Sequence, residues 1–83
     1  MTATVFERVR LIASDLFGVV PDALSADSSP ENVERWDSTQ HLNFVLALED
    51  TFQLQLSPEE TERIRTIGDA AKLIEEKVAV AGG

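Results

Sequence analysis

Ser38 and His41 stand three positions apart, and His41 is the chain's only histidine. On a helix that spacing brings two side chains onto one face, so a serine nucleophile with an adjacent base is a pairing to test. Ester hydrolysis also requires a nucleophile elbow, an oxyanion hole and a substrate cleft. No elbow motif occurs, and 83 residues leave little room for the cleft. The preferred reading of His41 is a partly exposed helix histidine, and no catalytic residue is assigned. Ser38 has a second chemistry open to it. It follows Asp37, a good helix N-cap, and a side chain in a first turn points away from the core. Free backbone N–H groups and the positive end of the helix favour a phosphate attached there. Ser38 is thus a candidate for a covalent phosphoester, against the alternative of an ordinary serine in a cap. One histidine with scattered carboxylates has no metal-ligand spacing, so no metal site is expected. No glycine-rich phosphate loop occurs. With no cysteine there are no disulfides, thiolate metal sites or cysteine nucleophile.

Charge supplies a second clue. Between Arg35 and Arg63 there is no Lys or Arg, while Asp37, Glu49, Asp50, Glu59, Glu60 and Glu62 fall in the same stretch. This acidic surface either aids solubility or docks onto basic partners. Seven basic against fifteen acidic residues, 7 − 15 = −8, make the chain a poor direct partner for nucleic acid or anionic lipid. A composition 43% hydrophobic and 27% charged is that of a folded protein, here one small domain over 1–83. No apolar run approaches a membrane span, and MTATVFERVR lacks the charged-then-apolar order of a signal peptide. The expectation is a cytoplasmic monomer.

The elements that must position Ser38 are legible as helices. Val5, Val9, Ile12 and Leu16 recur at helical spacing, widened by Phe6, Ala13 and Phe17, with Thr4 and Glu7 as a capping box and Gly18 and Pro21 as the stop. From Gly18 to Trp36 the sequence reads as a long loop pinned by Val20, Leu24 and Val33, with a helical turn near 30–33. Asp37 to Phe52 is apolar almost all round, which predicts a central helix, and Gln40 stands where a capping-box partner belongs. Leu54 and Leu56 alternate with glutamines over too short a run for a sheet. Ser57-Pro58-Glu59-Glu60 starts a short helix anchored by Ile64. Thr66 caps a last helix that buries Ala70, Ala71, Leu73, Ile74 and Val78 and exposes Lys72 and Lys77. Residues 79–83 read as a frayed tail. The predicted fold is an all-α four-helix bundle, three main helices and one short one, with a long loop between the first two.

These residues, in this order, resemble the acyl carrier proteins over nearly the whole chain. The resemblance is carried by the first helix to Gly18, the long loop, Trp36-Asp37-Ser38, the run from Leu42 to Phe52, the segment Leu54 to Glu60, Ile64 and Thr66-Ile67. It implies that Ser38, beside Asp37, receives 4′-phosphopantetheine from coenzyme A through a Mg²⁺-dependent phosphopantetheinyl transferase. The arm's thiol would hold acyl groups as thioesters, which accounts for a chain without cysteine. The protein would be a carrier and not an enzyme. The resemblance also places Glu49 and Asp50 among the acids facing partner enzymes with basic docking surfaces; Glu59 and Glu60 lie on the same acidic surface. It makes Leu42, Leu46, Leu48, Ile64 and Ala70 candidate liners of an acyl pocket, although for most of them ordinary core is the preferred reading.

Departures from the family pattern point to a specialised carrier. Thr39 replaces the usual leucine after the serine, Glu34-Arg35-Trp36 replaces a Leu-Gly pair, and Gln40, His41 and Asn43 stand where carriers of fatty acid synthesis often have acids. A dedicated polyketide, lipid or cell-envelope route fits better than general fatty acid synthesis. The alternatives are a peptidyl or aminoacyl carrier, or an acidic helical interaction module with no prosthetic group. Clustered carboxylates on a −8 chain repel one another at low ionic strength. Added salt or divalent cations should therefore raise the melting temperature, followed by circular dichroism; a salt-independent midpoint contradicts the clustering.

Overall fold

The structure is a computed structural model and describes residues 4–82, with side chains through Val78. Among the described residues it has four α-helices and no strand: α1 (Val5–Phe17), α2 (Ser38–Phe52), α3 (Pro58–Glu62) and α4 (Ile67–Gly82). Local chemistry sets the ends. Thr4 Oγ1 accepts from the Glu7 N–H at 3.1 Å to open α1. Gly18 closes it at φ 68°, a left-handed conformation that costs glycine little. In α3 the capping box is complete: Ser57 Oγ accepts from the Glu60 N–H, and Glu60 Oε1 accepts from the Ser57 N–H. Thr66 Oγ1 accepts from the Asp69 N–H at 3.0 Å to open α4. The backbone of α4 is helical to Gly82, into the segment expected to fray, and Gly83 lies outside the described residues.

The core joins Val9, Ala13 and Phe17 of α1, Phe44, Val45 and Leu48 of α2, and Ile67, Ala70, Ala71, Leu73 and Ile74 of α4, with Ile64 beside α3. Helix α1 packs against both α4 and α2, and so takes the central place that composition had suggested for α2. Helix α2 buries only one side and leaves Leu42 59% and Leu46 53% exposed. Apolar content reports how many faces a helix could bury; the number of neighbours decides how many it does. Val78, also expected inside, is 39% exposed near the end of α4. Lys77, expected to be exposed, is half-buried with its Nζ 2.9 Å from both carboxylate oxygens of Glu60.

The segment from Gly18 to Asp37 carries a 3₁₀ turn at Pro21–Ala23 that the sequence reading did not place. Around Pro30 the backbone makes a helical turn closed by the Asn32 and Val33 N–H groups on Ser29 O, without becoming a helix. Leu24, Val33 and Trp36 are buried anchors, whereas Val20 is 66% exposed. Buried Ser28 folds the loop, its Oγ accepting from the Ser25 N–H. The loop also caps α4: the Ile67 N–H donates to Ser28 O at 3.0 Å and the Gly68 N–H to Ala26 O at 2.9 Å. Orphan donors at a helix start are thus satisfied by loop carbonyls. A Cβ on Gly68 would sit 2.9 Å from Ala26 O, which is backbone and cannot simply swing aside. Gly68→Ala should cost about 1–3 kcal/mol by forcing the loop off α4. Urea unfolding would read this; a midpoint equal to the parent's would mean the loop is not held where it lies.

Candidate functional site

Ser38 is the first residue of α2, immediately after the N-cap. Asp37 holds the cap conformation, its Oδ1 accepting from the Gln40 N–H at 2.9 Å. With Asp37 capping, Ser38 has no capping duty: it is exposed, and its hydroxyl takes part in no hydrogen bond among the described residues.

The turn beneath it is anchored by Trp36. The indole is 2% exposed, stacked on Phe17 with centroids 5.0 Å apart and meeting Phe44 edge-on at 5.6 Å. Its Nε1–H donates to His41 Nδ1 at 3.0 Å. The two rings lie within 17° of parallel with centroids 6.0 Å apart, so they meet side by side through that bond rather than face to face. Gln40 is not a capping-box partner. Its Nε2 donates to Leu16 O at 2.8 Å and ties the start of α2 to the end of α1, while its Oε1 accepts from Asn43. Ser38 opens onto a shallow groove of about 450 Å³ lined by Pro30, Trp36, Asp37, Ser38 and His41. Across Pro30 lies a second hollow of about 420 Å³, lined by Ser29, Pro30, Glu31, Ile64, Arg65 and Thr66.

This geometry removes the hydrolytic pairing. His41 and Ser38 share a groove, but no hydrogen bond joins them, and the Nδ1 lone pair that could serve as base is committed to Trp36. Trp36 itself was read only as part of a motif. The available signal was a large aromatic with one donor, two residues before a helix start and five before a histidine.

The remaining sequence candidates are dispersed. Glu49 and Asp50 sit toward the other end of α2, about 16–18 Å along the axis from Ser38 at 1.5 Å per residue. Glu49 is half-buried and Oε2 accepts from the Leu56 N–H at 2.8 Å, bracing the turn into α3. Glu60 is likewise engaged, by Ser57 and Lys77. Asp50 and Glu59 are exposed and form no ion pair among the described residues. Of the acyl-pocket candidates, Leu48, Ile64 and Ala70 are in the core while Leu42 and Leu46 face solvent, and Ile64 alone of the five borders the second hollow. Among the described residues no cluster of metal-ligating side chains occurs, and no helix is long and apolar enough to cross a membrane.

No family model matches the chain. Its structure is similar to that of a holo acyl carrier protein from Geobacter metallireducens, with a TM-score of 0.83 and 23% identity over 93% of this chain and 88% of that one. It is also similar to a holo acyl carrier protein from Nitrosomonas europaea, with a TM-score of 0.77 and 29% identity over 89% and 95%. The chain has the helical-bundle fold of the acyl carrier proteins, in agreement with the resemblance read from its sequence.

Glu60 gives this surface a measurable signature. The Ser57 backbone N–H first, and then Lys77, hold its carboxyl at about 2, below its ordinary 4.5. A lowered carboxylate contributes stability above its unfolded value and loses it as the pH falls through the folded one. Between pH 4.5 and about 2 the parent should therefore lose more stability than Glu60→Gln, read from thermal melts across that interval. Parallel curves would mean that the Ser57–Glu60–Lys77 cluster is not formed in solution.

Proposed function

We propose that the chain is an acyl carrier and that 4′-phosphopantetheine is attached through the Ser38 hydroxyl. The observation that carries this reading is an exposed, unengaged serine at the first turn of α2, opening onto a groove, in a bundle with the acyl-carrier fold. The residues present fit such a group. The hydroxyl is free, the groove offers space, and the positive end of a fifteen-residue helix lies beside the place where a phosphodiester would form. When bound, the group supplies the thiol that this cysteine-free chain lacks, and acyl cargo rides on it as a thioester.

The chain's own part is to present that oxygen. Asp37 fixes the first turn, Gln40 ties it to α1 and Trp36 clamps it to the core, so the attachment point is held while a modifying enzyme approaches. The partners are a Mg²⁺-dependent phosphopantetheinyl transferase and acyl-transferring or synthase enzymes with basic docking surfaces, met by a monomer in the cytoplasm. Asp50 and Glu59 are the acids free to meet such surfaces. The absence of carboxylates at Gln40, His41 and Asn43, and Thr39 in place of an apolar residue, favour a dedicated route over general fatty acid synthesis. Ile64, bordering both core and hollow, is the point at which an acyl chain would enter toward Leu48 and Ala70.

Coenzyme A and a broad-specificity transferase should add one phosphopantetheine to the parent and none to Ser38→Ala, seen by intact-mass spectrometry. Equal labelling of the variant would overturn the assignment, and a parent that takes no arm would leave an interaction module as the better description.

A further inference from the structure

We infer that His41 is a positioning residue for the phosphodiester at Ser38, with its Nε2–H as the donor and Trp36 as the group that fixes its tautomer. The inference rests on the carrier reading and deepens it. An indole N–H can only donate, so His41 Nδ1, 3.0 Å from Trp36 Nε1, must accept. A neutral imidazole that accepts at Nδ1 carries its proton on Nε2, across the ring. Because the two rings are nearly coplanar, Nε2 faces away from Trp36, and it has no acceptor among the described residues. His41 is half-buried and lines the groove that Ser38 opens onto.

Helix geometry brings donor and attachment point together. Positions 38 and 41 share one face with Cβ atoms roughly 5–6 Å apart. Helical side chains lean toward the N-terminus, so the imidazole tilts back toward the turn that holds Ser38. In a phosphodiester the phosphorus stands one bond beyond Oγ and its free oxygens two bonds beyond, within the space the groove provides.

Charge gives the donor a purpose. No Lys or Arg lines the groove, and Asp37 is the other titratable residue in its wall. A phosphodiester anion at Ser38 meets that carboxylate with no cation beside it in the groove, and a fixed N–H directed at it offsets part of the repulsion. Trp36 is buried against Phe17 and Phe44, so the imidazole cannot turn over without giving up a hydrogen bond to the core.

The test uses the loaded protein, with intact mass first establishing one arm on Ser38. In ¹⁵N-labelled parent protein the His41 Nε2–H should exchange more slowly with water after loading than before it. The ³¹P resonance of the diester should differ between parent and His41→Ala, which removes the Nε2–H donor and also leaves the Trp36 Nε1–H without its partner. Trp36→Phe keeps a ring in the core but removes the tautomer lock, and should move the ³¹P resonance toward the His41→Ala position. Identical ³¹P positions in loaded parent and His41→Ala, or an Nε2–H exchange rate unaffected by loading, would overturn the role of His41 while leaving the carrier reading in place. A parent that accepts no arm overturns both.

Discussion

The site depends on the burial of one side chain, Trp36, at the last position before the N-cap of α2. The indole lies between Phe17 of α1 and Phe44 of α2 and so joins the two helices that flank the long loop. Aromatic pairs of this kind contribute about 0.5–1.5 kcal/mol each beyond the area they bury. Their larger effect here is geometric. With position 36 pinned inward and Asp37 bonded to the third residue of the helix, the direction of the first turn is set, and position 38 faces outward. The one polar atom of the indole goes to His41, so the burial leaves no unsatisfied donor.

The long loop is part of the same construction. Its buried side chains alone would pin it at Leu24, Val33 and Trp36 and leave the chain between them free. Its Ser28 and Ala26 carbonyls add a second attachment by accepting from the Ile67 and Gly68 N–H groups at the start of α4. Loop and helix therefore satisfy each other: α4 loses its orphan donors, and the loop gains a rigid seat on the far side of Pro30 from Ser38.

Helix positions were legible because each start carries its own chemistry: Thr4, Asp37, Ser57 and Thr66 all accept from a backbone N–H three residues on, as their types and spacing imply. The inner face of α1 was legible for a similar reason, since periodicity reports one helix at a time. Pairings between distant residues were not. Nothing local marks Gln40 for Leu16 O or Lys77 for Glu60, because each depends on how two elements meet. Leu42 and Leu46 show the same limit from the other side: leucine in a helix signals that burial would be favourable, and only the arrangement of neighbours reveals that none covers them here. The exposed place of Ser38 at the start of α2 was legible from type and position, whereas the groove beside it exists only in three dimensions.

Ser38 is set apart from the other serines by what those are already doing. The Ser14 hydroxyl donates to Val19 O behind the end of α1. Ser28 is buried and Ser29 Oγ accepts from the Glu31 N–H, so both shape the loop. Ser57 closes the capping box of α3. Ser25 is exposed and its hydroxyl is unengaged, but it lies in the loop with no helix start beside it and lines neither of the two hollows flanking Pro30. Among the described serines, only at position 38 do an unengaged hydroxyl, the first turn of a long helix and an open groove coincide. That coincidence requires a different residue to do the capping, and Asp37 does it. A serine acting as its own cap would turn its oxygen inward onto the N–H groups of the helix; the aspartate immediately before Ser38 leaves that oxygen directed outward and available for substitution.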